Sequence, residues 1–155
     1  AALSILIETD GPERTAALEA FEAKWKDNAQ VMDKWFALQA MSSRSDTLSR
    51  VKALTKHPCF DIRNPNKVRS LVGAFAMANP VCFHAKDGSG YMFLADSVIE
   101  LDSLNPQVAA RMVGALGSWR RYDADRQALM RAALERIVAV PVLSKDSFEI
   151  ASKSL

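Results

Sequence analysis

NPNKVRSLVGAFAMANPVCFHAKDGSGYMFL, residues 64–94, is the stretch that decides the fold. Asn64 is a preferred N-cap, and Pro65 at the first helical position gives up no hydrogen bond that a helix start needs. Val68, Leu71, Val72 and Phe75 then recur at helical spacing and define one apolar face. Asn79-Pro80 predicts a stop, because a residue before proline is pushed out of the helical region. Asp87-Gly88-Ser89-Gly90 reads as a turn, not a phosphate loop, since no Gly-Lys-Ser/Thr follows it. Beyond it, Tyr91 to Leu101 continues as helix.

The same periodicity extends in both directions. Pro12 suits a first helical position, and Leu18, Phe21 and Trp25 follow on one face. After Asp27-Asn28, Val31, Met32, Trp35, Phe36 and Leu38 make a second amphipathic helix. A polar break over residues 42–45 precedes a third, carrying Leu48, Val51 and Leu54 and ended by His57-Pro58. Downstream, Asn105-Pro106 starts a helix with Val108, Met112, Ala115 and Leu116 along one side. Asp123 caps the last long helix, through Met130, Leu134 and Ile137 to Val140-Pro141, and Ser144 caps a short terminal helix expected to bury Phe148. No segment sustains strand alternation. The predicted fold is all-α, about eight or nine helices joined by short loops, which favours antiparallel neighbours. The Asn-Pro cap at 64–65 recurs at 105–106, within the ~40–47-residue period of HEAT-type repeats. Stacked antiparallel helix pairs, a HEAT- or armadillo-like superhelix forming a single domain over residues 1–155, are the expected architecture.

Composition narrows the function. The 155 residues are about one domain and can bury a real core. Twenty basic against eighteen acidic residues leave a formal charge of +2, too balanced for the concentrated basic field that nucleic acid or an anionic membrane demands. The Arg120-Arg121 pair reads as a solvated helix end. No apolar run approaches the ~18 residues of a membrane span. The apolar start at residues 1–7 lacks a basic lead and is no signal peptide. With no initiator Met, it points to a piece cut from something longer. Two cysteines make no disulfide framework, and a reduced cytoplasmic setting is the default.

Candidate chemistry thins out quickly. His57-Pro58-Cys59 and Cys82-Phe83-His84 suggest zinc, but ligand pairs in structural sites are usually two to four residues apart, and here each pair has one residue between. They read instead as two buried thiols and two loop-end histidines. No G-x-S-x-G elbow and no H-E-x-x-H is present. The carboxylate pairs Glu8/Asp10 and Asp123/Asp125 sit where helix starts and turns favour acids. Two arginines remain. Arg69 lies at the border of the apolar stripe on the helix opened by Asn64-Pro65, and Arg111 lies in the comparable position after Asn105-Pro106. Such an arginine either snorkels its head into water or aims its guanidinium fork into a cavity, where a carboxylate or carbonyl could bind.

Three colinear blocks, KWKDNAQVMDKWFALQA (24–40), NPNKVRSLVGAFAMANPVCFHAKDGSGYMFLAD (64–96) and NPQVAARMVGALGSWRRYDADRQALMRAALERI (105–137), resemble the C-terminal part of the bacterial aminopeptidase N family, zinc metallo-aminopeptidases of the gluzincin type. The resemblance implies a non-catalytic helical domain that covers the active site of a parent enzyme and lines its peptide channel. The parent would release N-terminal amino acids from peptides, with zinc held by an upstream catalytic domain. It further implies that Arg69 and Arg111 face the cavity and hold the backbone or C-terminal carboxylate of a peptide, with Gln107 sharing that wall. No residue here is implied to be catalytic or a metal ligand, and the chain alone is expected to be inactive. The implied partners are the catalytic domain of the same parent chain and peptide substrates. The competing expectation is a free-standing α-solenoid that binds a protein partner through a concave face.

Overall fold

A computed structural model describes residues 2–155, and every regular element among them is helical. In chain order these are α1 (Ala2–Leu6), α2 (Pro12–Trp25), α3 (Ala29–Ala40), α4 (Thr47–Leu54) and α5 (Pro65–Val68). A π-helical turn (Arg69–Gly73) leads directly into α6 (Ala74–Ala78), then α7 (Pro80–Phe83), α8 (Ser89–Asp102) and α9 (Pro106–Val113). Short 3₁₀ turns at Gly114–Leu116 and Trp119–Arg121 precede α10 (Ala124–Val138) and α11 (Lys145–Ser154). None of these helices is long and apolar enough to cross a membrane. The chain forms two compact units, one ending at Cys82 and the other spanning Phe83–Leu155.

In the first unit α3 is the hub, packing against α2, α4, α5, the π turn and α6. Its apolar residues are spaced so that Met32, Phe36 and Ala40 are wholly buried on one face. The Trp35 indole donates to the Leu18 carbonyl at 3.2 Å, which satisfies its only polar atom and ties α2 to the hub. The buried Lys67 ammonium sits 2.6 Å from Asp33, donates to the Ala29 carbonyl at 3.0 Å and lies over the Phe36 ring. Asn79 does more than stop a helix. Its amide donates to the carbonyls of Ala40 and Ser42 at 2.9 and 2.7 Å, and its Oδ1 accepts the Cys82 N–H, so the corner between α6 and α7 is fastened to the end of α3. The Asn-Pro stop holds, but the chain re-enters a helical turn at once, because Pro80 is well placed to begin one.

The second unit is built on α8, which packs against α9 and α10, while α11 packs against the same two helices. Leu94, Val98, Leu101, Leu116, Leu134 and Ile137 are its buried centre. The Gly-rich turn is shorter than its residues suggest: Gly88, at φ +73°, is the N-cap and α8 already begins at Ser89. Gly90 has a second reason to be glycine, since a Cβ there would lie 2.3 Å from the Phe83 carbonyl oxygen. Asp102, at the C-terminus of α8, is buried and accepts both the N–H and the hydroxyl of Ser144 at 2.7 and 2.5 Å. Burial alone would raise the Asp102 pKa, but the hydrogen bonds from Ser144 and Ser147 outweigh it and hold the carboxyl below its ordinary value.

Three expectations need correction. Phe148 is 49% exposed; the inward face of α11 is formed by Ser147 and Ala151, one helical turn apart, whose small side chains allow the close approach of α9 and α10. Cys59 and Cys82 are half-buried rather than core thiols. Arg120 is more than a solvated helix end: it lies over the Trp119 ring and donates to the carbonyls of Ser154 and Leu155, pinning the end of α11 together with the Trp119 indole.

Candidate functional site

Arg69 stands where the first unit departs from regular helix. Asn64 caps α5 by accepting the Asn66 N–H at 3.0 Å, so the helix starts where Asn-Pro predicts. Four residues on, the backbone passes into the π turn. Ser70 donates its hydroxyl to the Asn66 carbonyl at 2.6 Å, competing with the regular ladder, and Leu71, Val72 and Gly73 are buried consecutively against α3. Turns of this kind occur often at functional sites. Arg69 is exposed at its start. Its Nη1 donates to Asn66 Oδ1 at 3.3 Å, and no carboxylate among the described residues pairs with it, which leaves most of the guanidinium edge available to an external acceptor.

Gln107 and Arg111 lie one turn apart on α9 in the second unit. Asn105 accepts the Val108 N–H at 3.2 Å, Val108, Ala109 and Met112 face the core, and the two polar side chains are therefore turned outward. They border an open groove of about 480 Å³ whose other wall is α11, with Ala110, Asp146, Glu149 and Ile150 completing the lining. Both are exposed. Glu149 holds Lys153, whereas the side chains of Gln107, Arg111 and Asp146 make no hydrogen bond or ion pair with another described residue. The groove so carries a cation and an amide on one side, acids on the other and apolar surface in its lining. Asp146 and Glu149 escaped the sequence analysis because acids near a helix start are ordinary there.

The histidines and cysteines have partners within the fold. His57 Nε2 meets Glu22 at 2.9 Å and its Nδ1 accepts the Cys59 N–H at 3.1 Å, fixing the imidazole between Trp35 and Phe36. The Cys82 thiol points at the carbonyls of Ser42 and Arg44. Among the described residues no three His, Cys, Asp or Glu side chains come together in a way that could hold a metal. His84 shares a 2.7 Å hydrogen bond with the buried Tyr91 hydroxyl, stacks on Tyr122 and offers its carbonyl to Arg126 Nε at 2.8 Å. Burial and the Arg126 charge lower the His84 pKa, and burial pushes Tyr91 up to about 12. This knot keeps neutral rings packed; the small pocket beside it is lined by Lys86, Asp123, Asp125 and Arg126, and Asp123 already pairs with Arg126.

A family described as "Domain of unknown function (DUF3458_C) ARM repeats" matches residues 1–155. Aminopeptidase N of Caulobacter vibrioides is 50% identical over 150 residues, covering 97% of this chain and 17% of the relative. Aminopeptidase N of Escherichia coli K12 is 48% identical over 155 residues, covering 100% and 18%. The crystal structure of Legionella pneumophila aminopeptidase A in complex with aspartic acid superimposes with a TM-score of 0.94 at 38% identity, over 99% of this chain and 18% of that one. The chain thus spans under a fifth of the length of these relatives, and its similarity to aminopeptidase N falls in that enzyme's C-terminal region.

Proposed function

The chain belongs to this DUF3458_C family of ARM repeats, and from that premise we propose that it is the non-catalytic C-terminal helical domain of a zinc-dependent aminopeptidase, covering the parent's active site and lining its peptide channel. The observation that carries the reading is similarity along the whole chain to aminopeptidase N, joined to an all-helical fold shared with a solved aminopeptidase A. In this reading 1–155 is one functional piece of a longer multidomain chain, and its partners are that chain's catalytic domain and peptides. The zinc belongs to the catalytic domain. The described residues offer it no ligand set, so no bond-breaking step is assigned to them.

Their work is positioning. Arg69 and Arg111 hold the backbone carbonyls or the C-terminal carboxylate of a peptide by charge-assisted hydrogen bonds, and Gln107 contributes an amide to the same wall as Arg111. What supports this is that both guanidinium groups are exposed without an acidic partner, each about a turn into a helix with an Asn-Pro start. In the full-length parent, Arg69→Ala and Arg111→Ala are expected to raise KM for tri- and tetrapeptides several-fold while leaving a small aminoacyl-arylamide nearly unaffected, because the latter does not reach these groups. Unchanged peptide kinetics would remove both assignments. The isolated chain should show no zinc-dependent turnover of the arylamide, and turnover by metal-clean protein given zinc would overturn its non-catalytic role.

A further inference from the structure

The groove between α9 and α11 has a polarity that backbone binding alone does not use. Arg111 and Gln107 stand on one wall and Asp146 on the other, all exposed and none with a side-chain partner among the described residues. Some exposed charges on this unit are paired, as in Arg131 with Glu135, Arg136 with Asp96 and Lys153 with Glu149, while others, such as Lys86 and Glu100, face solvent. What sets the groove apart is that it brings a cation, an amide and an acid together around apolar surface. Ala110 and Ile150 add apolar surface to the lining, suited to an aliphatic stem. The groove is shallow and open, about 480 Å³, so a chain end can lie along it without being enclosed.

We propose that this groove is a subsite for the C-terminal end of a peptide ending in lysine or arginine, with Asp146 as the residue that selects the cationic side chain. The proposal rests on the reading that the groove borders the peptide's path. Arg111 takes the terminal carboxylate, Gln107 a backbone group, Ile150 the side-chain methylenes, and the unpaired Asp146 the ammonium or guanidinium. Glu149 is secondary because Lys153 already holds it. A peptide ending in Asp or Glu brings like charge to Asp146 and is disfavoured, so the same wall selects and rejects.

The test uses the full-length parent enzyme and tetrapeptides identical except for a C-terminal Lys, Gln or Glu. At low salt kcat/KM should fall in the order Lys, Gln, Glu, with about two- to fivefold between Lys and Gln, the scale of an exposed ion pair. That ratio should shrink as sodium chloride screens it. Asp146→Asn should bring the Lys-to-Gln ratio close to one, and Asp146→Glu should restore it. Arg111→Gln should instead lower all three peptides together. If the lysine preference survives Asp146→Asn while Arg111→Gln still weakens every peptide, this inference fails and the peptide-channel reading stands. If neither substitution changes any peptide, both fail.

Discussion

Arg14 buries a guanidinium on α2 with only part of its bonding capacity used. It is 5% exposed; Nη1 lies 3.6 Å from Asp46, while Nε and Nη2 are buried without partners. Burial first, and then the nearby Arg50, pull its pKa below the ordinary arginine value. Asp46 is independently held by Arg44 at 3.0 Å, so removing Arg14 strands no carboxylate. Arg14→Met should therefore be neutral to stabilising, by up to about 1–2 kcal/mol in urea unfolding; a clear loss would mean the cation does unrecognised structural work. His84 gives a pH dependence of definite sign. Its folded pKa is lowered, so the native state binds fewer protons than the unfolded state as pH falls below the unfolded value of about 6.5. Stability is fully present above that value and is lost as pH falls towards and through the folded pKa. Asp102, also lowered, acts in a separate window, losing its contribution only as pH falls below the unfolded carboxylate value and through its own folded pKa. Urea midpoints for wild type and His84→Gln between pH 8 and 5 should converge at the acidic end, because only in the wild type does the unfolded state gain an imidazole proton that the native state binds less readily.

Helix ends and close approaches carry the corresponding predictions for whole elements. Asn28, Asn64, Asn105, Asp123 and Ser144 each accept a backbone N–H at the start of their helices. Asn105→Ala should cost about 1 kcal/mol, the usual worth of such a cap, read from denaturant midpoints. Gly90→Ala should cost more, about 2–4 kcal/mol, because its Cβ would press into the Phe83 backbone and force α7 and α8 apart. The π turn is different in kind. The periodicity of Val68, Leu71, Val72 and Phe75 reads as continuous helix, and all four are indeed buried, yet the segment accommodates them by widening at Arg69–Gly73. Local pattern cannot reveal that adjustment, since it answers to the surface of α3.

Each of the two units has its own apolar centre, and among the described residues no three potential ligands cluster as a metal site would need. Chelator should accordingly leave the thermal midpoint of the isolated chain unchanged while abolishing turnover by the proposed parent; a lowered midpoint would reveal a structural metal. Sequence by itself determined that this protein is all-helical, and where most of its longer helices begin, because apolar periodicity and Asn, Asp, Ser or Pro at a helix start act over a few neighbouring residues. Periodicity put Arg111 at the border of an apolar stripe, and colinear resemblance marked the parent family and singled out Gln107 beside it. Tertiary structure alone decided that Asp146 and Glu149 face them across a groove, that Phe148 is left outside while Ser147 and Ala151 pack inward, and that Asp102 holds the start of α11. Those outcomes depend on which helix lies against which, a contact between segments some forty residues apart, and no period within one helix encodes its neighbour.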